Sequence, residues 1–194
     1  IDDRLYAAMI RNGHLWTAHT IYVNASGVAG SGNRNGVRWY DLTNLATTPT
    51  VSQSGTIFDP AASGPRWYFF PSVMASGQGH AAFSLATAGT GFRANAATAG
   101  RLSSDVAGTT QAVALTTASS TAYNPSGDPG GSGGRRYGDY SYVSLDPRDD
   151  MTMWMVNQYC AGTNVYGCNV TKLIAPPPAT AASCLPAMVM AGQA

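Results

Sequence analysis

The stretch RRYGDYSYVSLDPRDDMTMWMVNQYC, Arg135 to Cys160, carries four of the chain's ten acidic residues. Its reading decides between a catalytic loop, a metal cage and a plain hairpin. Two segments of alternating polar and apolar residues, YSYVSL and MTMWMVNQY, flank DPRDD. Period-two alternation marks strands, and Asp and Pro between them favour a turn, because Asp oxygens bond nearby amides and Pro presets φ. A hairpin is therefore expected, with Asp146, Asp149 and Asp150 in its turn. Clustered hard oxygens also make these three, with Asp139 as a fourth, a candidate structural calcium site, although the spacing lacks the regularity of a calcium loop. General acid–base work would need a desolvated carboxyl, which an exposed turn rarely gives.

The same pattern occurs twice more. LYAAMI and HLWTAHTIYV flank RNG, where Asn12-Gly13 suits the positive φ angles of a tight turn. WYFFPSVM and HAAFSLA flank ASGQG. Trp16, Phe83 and Trp154 each lie in the second strand of their hairpin, at intervals of about seventy residues. Shorter candidate strands follow: GVRWYDL, TVSQSGTIF, QAVALTT and NVTKLI. Repeats on this scale predict an all-β chain of three four-stranded antiparallel propeller blades, over about 1–60, 61–120 and 121–175. Three blades form an incomplete ring, with an apolar face and a strand edge exposed at each end. Additional blades or a second chain are the expected partners. A compact two-sheet β-sandwich is the alternative.

Between the blades, TAGTGFRANAATAGRLSSDVAGTT and NPSGDPGGSGGRR read as loops of small residues. The Pro/Ala-rich tail, residues 176–194, begins with a polyproline-like segment unsuited to extending a sheet, and is expected along the surface or against a neighbour.

Charged residues make up only 11% of the 194, there is no glutamate, and one lysine stands beside the arginines. Helical surfaces draw on Glu and Lys, so this balance argues against a helical protein. A net charge of +1, with no basic run beyond Arg135–Arg136, argues against nucleic acid or an anionic membrane as partner. No segment has the length of apolar sequence that a membrane-spanning helix needs. A chain opening at Ile1 is expected to be a processed or partial one, and a secreted address, extracellular or periplasmic, fits the composition. Cys160 and Cys168 bracket AGTNVYG and are expected to bridge adjacent strands, leaving Cys184 free or paired outside the chain.

At the third hairpin the chain resembles secreted bacterial β-propeller proteins of the sialidase-like (BNR-repeat) superfamily. RYGDYSYVSLDPRDDMTMWMVNQY is similar to their Arg-Trp-Gly-Asp-Tyr-Ser segment, aspartate-rich turn and Trp-containing strand. RNGHLWTAHT, VRWYDL, QSGTIFDP and FFPSVMASGQGHAAFS resemble preceding blades in the same order. The resemblance implies the C-terminal part of a secreted propeller. Tyr137 stands where tryptophan is usual, and no intact Ser-x-Asp-x-Gly-x-Thr-Trp box is present.

Arg136 and Asp139, with Tyr140 beside them, precede the innermost strand of their blade, where they are expected to clamp a polar ligand or tie two blades. Arg38–Trp39 and Arg66–Trp67 are candidate guanidinium–indole stacks, as packing or as a sugar platform. Sialidase chemistry would need an arginine cluster and a tyrosine with an acidic helper, usually glutamate, which the chain lacks. His14 and His19 fall on opposite faces of one strand and cannot share a metal; with His80 they read as structural. Asn24 and Asn169 sit in glycosylation triplets. The expectation is a binding or structural module for a glycan, a surface polymer or a protein partner, rather than an enzyme. The alternatives are a glycoside- or polysaccharide-degrading enzyme completed outside this chain, and a subunit of an extracellular assembly.

Overall fold

The computed structural model describes residues 3–126 and 136–175; among these the chain forms eleven strands and no helix, so none is long and apolar enough to cross a membrane. The strands make three antiparallel sheets, each a meander in chain order. The first contains β1 (Ala7–Arg11), β2 (His14–Val23), β3 (Arg34–Thr43) and β4 (Thr50–Ile57). The second contains β5 (Trp67–Ala75), β6 (Ala81–Gly89), β7 (Phe92–Arg101) and the two-residue β8 (Ala114–Leu115). The third has three described strands, β9 (Tyr142–Leu145), β10 (Thr152–Gly162) and β11 (Val165–Ile174).

Alternation explains the stacking. On β6, Phe83 and Leu85 point to one face, where they meet Trp16, Ala18, Val37 and Trp39 of the first sheet. Ala82, on the opposite face, meets Val143, Met153 and Met155 of the third. The second sheet is thus buried on both faces, and β6 is buried from Ala81 to Thr87. Trp16 stacks on Trp39 at 5.8 Å, and Trp39 leans on Phe83 at 5.8 Å. Alanines at Ala18, Ala97 and Ala99 share this cluster with the rings, leaving room for them at close packing.

The junction with the third sheet carries polar groups, and these are paired. Asn157 Nδ2 donates to Ser84 Oγ at 3.2 Å, and the Val143 amide donates to Ser72 Oγ at 3.2 Å. Such pairing offsets the cost of burying them. The outer face of the third sheet remains exposed at Tyr142, Trp154, Val156, Val170 and Ile174.

Three expectations need correction. The segment read as a low-complexity loop holds β7, the ten residues Phe92–Arg101, paired along β6. Small residues suit that strand because its neighbours on both faces are bulky, and burial overrides the weak β-propensity of alanine. QAVALTT shrinks to β8. The Cys160–Cys168 bridge is not made: Cys160 is a buried free thiol and Cys168 an exposed one. The register explains this, since Cys160 stands opposite Tyr166 and Cys168 opposite Gln158. The tail and Cys184 lie outside the described residues.

The hairpin turns are as expected, and they meet. Asn12 and Gly13 have φ of 50° and 77°. Asn12 Nδ2 donates to the Gly77 carbonyl at 2.9 Å, Arg11 forms an ion pair with Asp150, and the Gly77 amide reaches the Asp150 carbonyl at 3.4 Å. One turn from each sheet thus joins a common cluster. A Cβ at position 77 would fall on the Asp150 carboxylate, so any larger residue there displaces that side chain from Arg11.

Candidate functional site

Two of the DPRDD carboxylates, Asp146 and Asp149, are committed to their own hairpin. Asp146 accepts from the Arg148 amide at 3.0 Å and from the Trp154 indole at 3.2 Å. Asp149 accepts from the Met151 and Thr152 amides and the Thr152 hydroxyl, at 3.0, 2.8 and 2.6 Å. Hydrogen bonds to the ionised form hold both carboxyls below the usual range: Thr152 chiefly brings Asp149 to about 2, and the Arg148 amide chiefly lowers Asp146. Asp150 pairs with Arg11. Among the described residues no group of three or more His, Cys, Asp or Glu side chains converges as a metal site would need. The candidate calcium site thus gains no support from this geometry.

The three histidines are hydrogen-bonded, as their strand positions suggested. His14 Nδ1 lies 2.7 Å from the buried Asp41, which also accepts from Gln53 at 3.1 Å. His19 Nδ1 faces the Asp3 carbonyl at 2.7 Å, and His80 accepts from the Ser103 amide at 3.0 Å. Both glycosylation-triplet asparagines already bond locally. Asn24 Oδ1 accepts the Ser26 and Val28 amides, and Asn169 Oδ1 accepts the Thr171 hydroxyl.

A cavity of about 640 Å³ opens where the start of β5 meets the segment leading into β9. Trp67, Phe69 and Phe70 of β5 and Phe92 of β7 supply apolar wall; Tyr6, Tyr123, Tyr137 and Tyr140 come from the connecting segments. Arg4, Arg93 and Arg136 also line it, and Asp139 is the one acidic residue among the described lining residues. Aromatic contacts fix the rings, with Tyr6 edge-on to Tyr140 at 5.1 Å and Tyr123 to Tyr137 at 5.4 Å.

The backbone of this region is unusual. Phe70 has φ of 50° beside Pro71, at the irregularity where β5 slips against β6 between Phe69 and Ser72. Bulky residues rarely take that conformation. Phe70 is held from both sides: its amide donates to Thr20 Oγ1 at 3.1 Å, and its carbonyl accepts from Ser141 Oγ at 2.7 Å. Gly138 and Asp139 follow suit at φ 79° and 86°, and a Cβ on Gly138 would approach the Phe70 ring to 3.0 Å. The loop carrying Arg136 and Asp139 is therefore seated directly on Phe70.

The expected ligand residues divide. Trp67, Arg136, Asp139 and Tyr140 all line this cavity. Arg136 and Asp139 are exposed, and among the described residues no ion pair joins them. Arg66 does not line this cavity; its guanidinium lies 3.7 Å from the centre of the Phe92 ring. The expected stacks on neighbouring indoles are corrected: Arg66 lies over Phe92, and the cation near Trp39, at 5.8 Å, is Arg101. Consecutive residues of an extended chain point to opposite sides, so Arg38, opposite His19, faces away from Trp39. Trp39 is wholly buried and cannot be a platform.

Sequence reasoning missed Tyr137 as a site residue. Its buried hydroxyl and the buried Nη1 of Arg66 have no hydrogen-bond partner among the described residues. Burial, then the nearby Cys160 and Tyr123, push the Tyr137 phenol well above its usual range. No family model, curated protein or solved structure matches this chain.

Proposed function

We propose that the chain is a run of three β-propeller blades from a secreted protein, acting as a binding module whose ligand is a glycan held in the aromatic and arginine-lined cavity. The blade reading rests on three meandering sheets stacked in chain order, with one turn from each gathered into a common cluster. The sialidase-like resemblance of the third hairpin supports it further. Additional blades, or a second chain, would complete the ring against the exposed outer faces.

The binding reading is carried by one observation: Trp67, Phe92 and Tyr140 line one cavity with Arg4, Arg93 and Arg136, and Asp139 is the single acidic residue among its described lining residues. Aromatic faces stack on the apolar side of sugar rings, and guanidinium forks bind carboxylate or sulfate substituents bidentately. A degrading enzyme is the second reading, because Arg136, Asp139 and tyrosines do meet in one cavity. A tyrosine nucleophile, however, needs a lowered phenol pKa, and Tyr137 is shifted the opposite way.

Calorimetric titration with polygalacturonate and with neutral dextran tests this. Binding of the anionic polymer, weakened about tenfold or more by Arg136→Ala and by Trp67→Ala, is the expected result. Equal affinity of both variants and the parent would refute the site. Release of new reducing ends would favour the enzyme.

A further inference from the structure

The tripeptide Arg-Asn-Gly occurs twice, at Arg11–Gly13 and at Arg34–Gly36, and these hold the only Asn-Gly pairs of the chain. At Asn-Gly the backbone nitrogen that follows can attack the asparagine side chain with least hindrance, because glycine has no Cβ. The fold puts the two copies in opposite circumstances. Asn12 and Gly13 are exposed at the tip of the first hairpin, and a Cβ on Gly13 would meet nothing within 4 Å. Asn35 lies inside β3, opposite Tyr22. Gly36 beside it is buried, with the Ile57 carbonyl 2.9 Å from where a Cβ would stand.

We infer that Asn12 is a site of spontaneous deamidation, and that the change loosens the junction between the first and second sheets. The Gly13 amide nitrogen bonds to Asn12 Cγ as the Cγ–Nδ2 bond breaks. Its proton leaves with the Nδ2 group as ammonia, and a cyclic succinimide remains. Water then opens the ring at either carbonyl, giving aspartate or its β-linked isomer.

Ring closure requires Asn12 to release the Gly77 carbonyl, to which its Nδ2 donates at 2.9 Å. At an exposed turn tip such local opening needs little free energy. At Asn35 the same step needs β3 to part from β2. That stretch is anchored by the buried Arg34, whose guanidinium donates to the Asp59 and Ala61 carbonyls. Two identical tripeptides should therefore age at different rates, and the fold alone sets the difference.

The product cannot restore what is lost. The amide of Asn12 joins the first hairpin turn to the second, whereas a carboxylate offers the Gly77 carbonyl only acceptors. It also adds a negative charge to a cluster that already holds Asp150, paired with Arg11. The β-linked isomer inserts a methylene into the turn backbone besides.

The test incubates the full chain at mildly alkaline pH, folded and in urea, with brief tryptic digestion at mildly acidic pH and fragment mass spectrometry. Trypsin cuts after Arg11, Arg34 and Arg38, so Asn12 and Asn35 fall in different peptides. In urea the two positions should convert at similar rates. In the folded protein, acid should accumulate at position 12 at least about tenfold faster than at position 35. Asn12→Asp supplies the product directly. In that variant the Gly77 and Gly79 amides, which donate to the Asp150 and Ser76 carbonyls, should exchange at least about threefold faster than in the parent. Equal conversion at the two positions in the folded chain, faster conversion at Asn35, or unchanged exchange at Gly77 in Asn12→Asp would each overturn the inference.

Discussion

Trp16, Phe83 and Trp154 occupy matching positions in three hairpins, yet their surroundings differ: they are 4%, 0% and 39% exposed. Truncating the second and third separates a sheet covered on both faces from one covered on a single face. Phe83→Ala removes a ring enclosed by Trp39 and by Leu85, Val37 and Ala97 of the same cluster. Phe→Ala in a core typically costs about 3–5 kcal/mol, a large part of the 5–15 kcal/mol that holds a domain together. Trp154→Ala loses a half-exposed indole, its 3.2 Å hydrogen bond to Asp146 and a Lys172 contact at 5.8 Å. These together are worth about 1 kcal/mol. Urea unfolding followed by far-ultraviolet circular dichroism would read the difference, expected at about 2–4 kcal/mol with the slope unchanged. If Trp154→Ala proved as costly as Phe83→Ala, the outer face of the third sheet would have to be covered in solution. If Phe83→Ala cost less than about 1 kcal/mol, the stacking order itself would be wrong.

Other outcomes follow from the turns and the cavity. Gly77→Ala drives a Cβ onto Asp150 and displaces it from Arg11, at a cost of about 0.5–1 kcal/mol. Thermal unfolding should show that cost shrinking in an Asp150→Ala background. Asp149 titrates at about 2 in the fold and near 4 when unfolded, so its contribution is present above pH ~4 and lost as pH falls toward ~2. Asp149→Asn should flatten that limb of an acid titration. Tyr137 has the opposite sense: its raised phenol pKa gives a contribution intact below pH ~10 and lost above it, as the unfolded chain ionises first. Phenolate absorbance against pH should show a late step in the parent that is missing in Tyr137→Phe.

The three hairpins were legible because each combines period-two alternation with turn residues that leave little conformational choice, as Asn12-Gly13 and Asp146–Asp150 show. β7 was not, since Ala, Thr, Asn and Gly carry almost no local signal, and only burial between two layers makes them a strand. The Arg–Trp neighbours misled for a related reason: adjacency along an extended chain means separation across the sheet. Arg136, Asp139 and Tyr140 could be picked out as site residues because they precede an inner strand. Their companions, Arg4 and Tyr6, Phe92 and Arg93, and Tyr123, come from three other places along the chain, and no spacing in the sequence joins them. The strained φ of Phe70, which seats the loop beneath them, is a tertiary effect of Thr20 and Ser141.

A layer with no wet side has an evolutionary corollary. The central meander, Trp67–Leu115, cannot be the terminal piece of any shortened descendant without laying bare Phe83 and Leu85 or Met153 and Met155. Lineages that trim or extend this architecture should therefore add and remove material at the flanks, one entire meander at a time, and recombination points should cluster in the stretches between Ile57 and Trp67 and between Leu115 and Tyr142.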